Sequence, residues 1–262
     1  MDFNKRWLLV IIVVMINLLM EYSLRGINNF LKTPALSVLL ILNYLPYYAL
    51  LEHAIGAYKL KDYQLWILAQ IFGLMWQLVS VAALFYPPLT LGVNAGVLFI
   101  NNLIWWPTLQ ALLAFYIARR IIPGIDRQKP LLGRKGVAAL FIMFILVSFS
   151  FHLFAPGLRY PQIHQILILA ILISILAYVF KKSVKRNLAM PVKFVPGKFL
   201  DLLSIFTIVY LIISFFYFTQ DQSILNTTIL NKQALRVNVP VSISIATMLL
   251  VYRLKTKKTI PL

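Results

Sequence analysis

The sequence predicts an all-α, polytopic helical membrane protein of about eight transmembrane helices, seven being the alternative count, with both termini cytoplasmic. Three observations carry this reading. Of the 262 residues, 61% are hydrophobic and the mean hydropathy is +0.85, against roughly 45–50% apolar residues in soluble domains. Only 12% are charged, and the apolar residues lie in blocks rather than interleaved with charge. The basic residues fall at the block ends and gather in alternate loops, on one side. A single integral membrane domain over residues 1–262 is the resulting expectation.

About 20 apolar residues cross a hydrocarbon layer of ~30 Å. On that ruler the first span runs from Trp7 to Leu24. It follows Asn4-Lys5-Arg6 but lacks a small-x-small cleavage site, so it reads as a retained helix rather than a signal peptide. The second runs from Ala35 to Tyr58, just after Pro34. The third runs from Tyr63 to Tyr86 and stops at Pro87-Pro88. The fourth, Leu91 to Ala118, is too long for one upright span and carries Trp105-Trp106-Pro107 near its middle. Proline removes a backbone donor and crowds the preceding turn. A kink or break is expected there, or a re-entrant half-helix followed by a span. The fifth runs from Gly136 to Phe154, the sixth from Ile163 to Phe180 and the seventh from Phe199 to Phe218. The eighth, Val237 to Tyr252, is the shortest, and Asn238 and Pro240 interrupt its start. Its omission gives the count of seven.

Eight alternating spans put twenty of the 25 basic residues on one side and five on the other. The crowded side holds Lys5, Arg6, Lys59, Lys61, the Arg119–Lys135 and Lys181–Lys198 segments, and the basic residues after Tyr252. The positive-inside rule makes that side cytoplasmic. The net charge of +18 is thereby explained by topology and by attraction to anionic headgroups, with no nucleic-acid partner required. Membrane lipids are the expected partners. The Lys181–Lys198 segment, with Pro191 and Pro196, is the expected docking surface for a cytoplasmic protein.

Ionisable groups at membrane depth cost ~2.5–3.5 kcal/mol on insertion scales, so each needs a reason. Glu21 falls in the outer third of the first span and shares a face with Asn17 and Arg25. A Glu21–Arg25 pair anchoring the outer end is one reading; a carboxylate facing an outward cavity is the other. Glu52 and His53 fall in the inner third of the second span. Lys59 can snorkel toward Glu52, and Tyr48 shares its face, so an internal lock and a substrate or proton site are both open. His152 and His164 flank the fifth-to-sixth loop with Arg159. With Glu21 they compose a weak acid–base set, against the blander reading of headgroup-level residues. Asn94, Asn101, Asn102 and Gln110 make a polar seam in the fourth block, as Gln70 and Gln77 do in the third. Such amides bridge helices or line a path.

Cysteine is absent, which removes thiol chemistry and thiolate metal sites. No GxSxG, HExxH, Walker or paired-carboxylate motif occurs, and no metal or cofactor is expected. The leading reading is a permease-like protein, or the integral subunit of a larger complex, in a bacterial-type inner membrane. Glu52, His53, Gln77, Asn101, Asn102, Arg25 and Arg159 are its candidate cavity or binding residues. The alternative is a membrane enzyme acting on a lipid or isoprenoid at the outer face, with Glu21, His152 and His164 as its acid–base set.

Overall fold

The computed structural model describes residues 2–81, 83–85, 87–127, 129–154, 161–185, 187, 194, 196–218 and 232–256. The named elements are all helical. Pairing of the strand kind is confined, among the described residues, to an isolated bridge between Thr90 and Val93. In chain order the helices are α1 (Asp2–Arg25), α2 (Ile27–Lys32), α3 (Pro34–Tyr58) and α4 (Asp62–Trp76). A second series follows: α5 (Ala95–Phe99), α6 (Ala114–Ile121), α7 (Arg134–Phe154), α8 (Ile163–Val184), α9 (Lys198–Tyr217) and α10 (Lys232–Thr256).

Among the described residues, seven helices are long and apolar enough to cross a membrane: residues 4–25, 34–58, 95–121, 134–151, 163–184, 198–217 and 236–254. Two details differ from the sequence expectation. The third block does not form one long α-helix. α4 passes into a π turn over Gln77–Val81 and then a 3-10 turn over Ala83–Phe85. The eighth block, expected to be the weakest, forms a 25-residue helix that runs through Pro240.

Local chemistry sets the helix ends. Pro34 starts α3 where its missing N–H costs nothing. Lys59 closes α3 in the left-handed region at φ 52°. The Gln64 side chain accepts the Lys61 N–H at 2.8 Å to start α4, and Asn94 accepts the Val97 N–H to start α5.

Pro107 breaks nothing. A π-helix over Ile100–Leu113 joins α5 to α6 in one continuous rod from Ala95 to Ile121. In an α-helix the residue-107 N–H would bond the Leu103 carbonyl, and proline has none to give. The Thr108 hydroxyl donates to that carbonyl instead at 2.7 Å, and Trp66 Nε1 of α4 donates to the same hydroxyl at 2.9 Å.

α1, α3 and the rod form the centre, each 56–61% buried along its apolar window, whereas α7 to α10 are only 11–33% buried. α4 packs on the rod, α7 on α3, α8 on α4, and α9 and α10 on α1. Trp106 lies inside this core, 5.3 Å from Tyr47 and 5.5 Å from Trp76 between ring centroids. The apolar positions Ile224, Leu225, Ile229, Leu230 and Leu235 are spaced for a short interfacial helix between Gln220 and Arg236, beside a formal glycosylation sequon at Asn226, and that segment falls largely outside the described residues.

Candidate functional site

Glu52 is fully buried near the C-terminal end of α3, where a bare carboxylate could not stay charged. Two arginines meet it. Arg6 of α1 reaches Glu52 Oε1 through Nε at 2.8 Å, and donates to the Glu52 carbonyl at 3.1 Å and the Lys129 carbonyl at 2.6 Å. Arg127, from the 122–133 loop, donates from Nε to Oε1 at 3.0 Å and lies 2.7 Å from Oε2 through its second terminal nitrogen. Lys59, the partner suggested by sequence, instead donates to the Arg127 carbonyl at 3.0 Å. Lys59 is four side-chain carbons from a helix end and its reach is used on the loop backbone. The 122–133 loop is therefore folded inward. Ile122, Ile125, Leu131 and Arg127 are all buried. His53 Nδ1 accepts the Leu132 N–H at 3.1 Å, and Gly56 leaves room for the loop. A Cβ there would sit 2.4 Å from the Lys129 oxygen.

Burial lowers the Arg127 guanidinium below its usual value, and the neighbouring Glu52 carboxylate opposes this. Burial likewise lowers the Lys59 amine, opposed by Asp126. Arg127 lies 5.5 Å from the Phe115 ring centroid and Arg119 lies 4.6 Å from that of Phe194.

A second, neutral group lies deeper. Asn17 is eleven residues beyond Arg6, or ~16 Å along the helix, about half of a ~30 Å layer. It is fully buried and donates to the Val13 and Gln110 carbonyls at 2.8 and 3.3 Å. Tyr48 lies beside Asn17, and Tyr44 beside Gln110. Asn17 Oδ1, the Tyr47 and Tyr48 hydroxyls and both Gln110 amide atoms make no aligned hydrogen bond. Tyr44, Tyr48 and Glu52 share one stripe of α3, four residues apart. Asn17, Glu21 and Arg25 share one of α1. The two stripes face each other with Gln110 between them.

At the opposite end Arg25 is buried and holds Glu21 through two contacts to Oε1, at 3.0 and 2.8 Å. Both act on Tyr44. Asn102 is buried on the α4–rod interface, Gln77 is buried in the π turn that follows α4, and Asn101 is only partly buried. Neither side-chain atom of Asn102 makes a hydrogen bond, and Gly73 makes room for its Oδ1. His164 is exposed and rests against Gly92. The His152 side chain and Arg159 lie outside the described residues. Among the described residues, no group of three His, Asp or Glu could hold a metal ion.

Sequence reasoning missed Arg6, Arg119 and Arg127 as site residues. The signal for them was the lone Glu52 at depth, which demands a cation. Part of the expected docking segment is tied to the body: Asn187 donates to the Tyr58 carbonyl at 2.8 Å and accepts from Gln64 at 2.8 Å. No family model, curated protein or solved structure matches the chain.

Proposed function

We propose that this chain is a permease-like integral membrane protein, crossing a bacterial-type inner membrane eight times with both termini inside. Its path follows the seam between α1, α3 and the rod. One observation carries this reading. At mid-bundle depth the Tyr47 hydroxyl has no hydrogen-bond partner among the described residues, and the Tyr48–Asn17 and Tyr44–Gln110 pairs lie beside each other without aligned hydrogen bonds. Buried polar atoms are normally satisfied, and each orphan costs ~1–3 kcal/mol. A packing role needs no such atoms; a passing polar solute, proton or water chain would use them. The seam also has a charged group at each end, Glu21–Arg25 and Glu52–Arg6–Arg127. The basic segments supply the orientation. Contacts among Arg6, Glu52, Lys59 and Arg127, and the Arg253–Asp62 pair, gather them at one end of the bundle. The positive-inside rule makes that end cytoplasmic.

The chain carries no cysteine, so single substitutions report cleanly. Cysteines at Asn17, Tyr48 and Gln110 should react with a small water-soluble thiol reagent in membrane vesicles. A cysteine at lipid-facing Leu146 should not. Silence at all three seam positions, with folded protein, would mean that the seam is sealed.

A further inference from the structure

We propose that Arg119 and Arg127 form a binding site for a phosphate-bearing anion, between the C-terminal turn of α6 and the 122–133 loop. The site stands whether or not the seam conducts.

The case begins with charge. Arg6, Arg119 and Arg127 are all buried at this end, with Glu52 as the carboxylate among them. Among the described residues, three guanidiniums against one carboxylate leave an excess of two positive charges. The other acidic residues whose side chains are described are committed elsewhere. Glu21 is held by Arg25, Asp62 by Arg253 and Asp201 by Arg120, while Asp126 acts on Lys59. The side chains of Asp2 and Asp221 lie outside the described residues. The C-terminal dipole of α6 offers only about half a negative charge.

Hydrogen-bonding capacity points the same way. The Arg127 side chain is 4% exposed, yet its first terminal nitrogen makes no hydrogen bond. Arg119 contacts the Phe194 ring face and, among the described residues, makes no ion pair. Stacking on Phe115 and Phe194 fixes the two guanidinium planes but leaves N–H donors unspent. Arg127 sits over Phe115, one turn before Arg119 on α6, which brings the two guanidiniums to the same side of that helix. The Arg127 terminal nitrogen left over by Glu52 and the unpaired Arg119 fork, with the charge excess, match a phosphate group, whose oxygens accept from two arginines at once. The neighbouring Arg120 is not part of the site. Both of its donors go to Asp201, at 2.7 and 2.9 Å.

The ligand is either a lipid headgroup or a free phosphate, and the test separates them. Full-length protein is placed in phosphatidylcholine nanodiscs and titrated with inorganic phosphate, against chloride at equal ionic strength. A parallel set contains phosphatidylglycerol. Melting temperature and native mass spectrometry of retained lipid are the readouts. The wild type should respond saturably to one probe, and Arg119→Gln should weaken that response about tenfold or more, the loss of one charge-assisted contact. A response to phosphate alone identifies a soluble ligand; one confined to phosphatidylglycerol identifies a lipid. Equal behaviour of wild type and Arg119→Gln toward both probes overturns the site. Should Arg119→Gln not fold, the wild-type differences decide alone: no gain over chloride and over phosphatidylcholine overturns the site equally.

Discussion

Glu52 ties three segments that lie far apart in sequence. It holds Arg6 from 46 positions before it and Arg127 from 75 after it. Removing one partner of a buried ion pair typically costs ~3–5 kcal/mol, because the remaining charge is stranded. Glu52→Gln strands two arginines, so it should lie at the upper end of that range. Thermal melting and size-exclusion profiles in detergent measure it, and a melting temperature within a degree of wild type would refute it. Gly56→Ala tests the same assembly from the backbone side. Its Cβ would meet the Lys129 carbonyl at 2.4 Å and Arg6 at 2.8 Å, so the loop must lift. Trypsin should then cleave after Arg127 faster than in wild type. The demand for a cation at Glu52 was legible in the sequence. Its source was not, because periodicity reports neighbours on one helix, and the candidate there was Lys59. Arg127 read as one more solvated loop charge, since nothing local shows a loop folding inward.

The rod shows the same limit for an element. Pro107 announced a disturbance, and a kink, break or re-entrant turn was the natural expectation. The chain instead widens into a π-helix, a form that often marks functional sites. Thr108 takes the Leu103 carbonyl that Pro107 leaves free, and Trp66 completes the contact from α4. Thr108→Val keeps the shape and removes the hydroxyl, leaving the indole N–H unpartnered and the Leu103 carbonyl with one donor fewer. A loss of about 1–3 kcal/mol is expected, with a shift in tryptophan emission, and Thr108→Ser should restore most of it. An unchanged stability in Thr108→Val would mean that other contacts hold the π segment. Seven of the eight apolar blocks have a span-length helix among the described residues, and these were legible because burial in lipid requires long uninterrupted runs. The π turn at Gln77–Val81 was not, because block hydropathy is blind to backbone pitch.

For the whole molecule, the outward faces argue for the bilayer more directly than composition does. Soluble monomers rarely expose contiguous apolar patches beyond a few hundred Å². Here Leu146 of α7 is 63% exposed, Ile171 of α8 59% and Phe206 of α9 53%, each among other exposed large apolar residues of its own helix. In water such a surface would aggregate; in lipid it is the required solvent contact. The two environments make opposite demands on a charge. An exposed position on a soluble helix tolerates aspartate within about 0.5 kcal/mol. A lipid-facing one pays ~2.5–3.5 kcal/mol on insertion scales. Leu146→Asp, Ile171→Asp and Phe206→Asp should therefore each lower the yield of membrane-inserted, folded protein sharply. Lys182→Asp, at an exposed position in the last turns of α8, should be nearly neutral for folding. Charge tolerance equal at all four positions would remove the belt and, with it, the membrane assignment of α7 to α9.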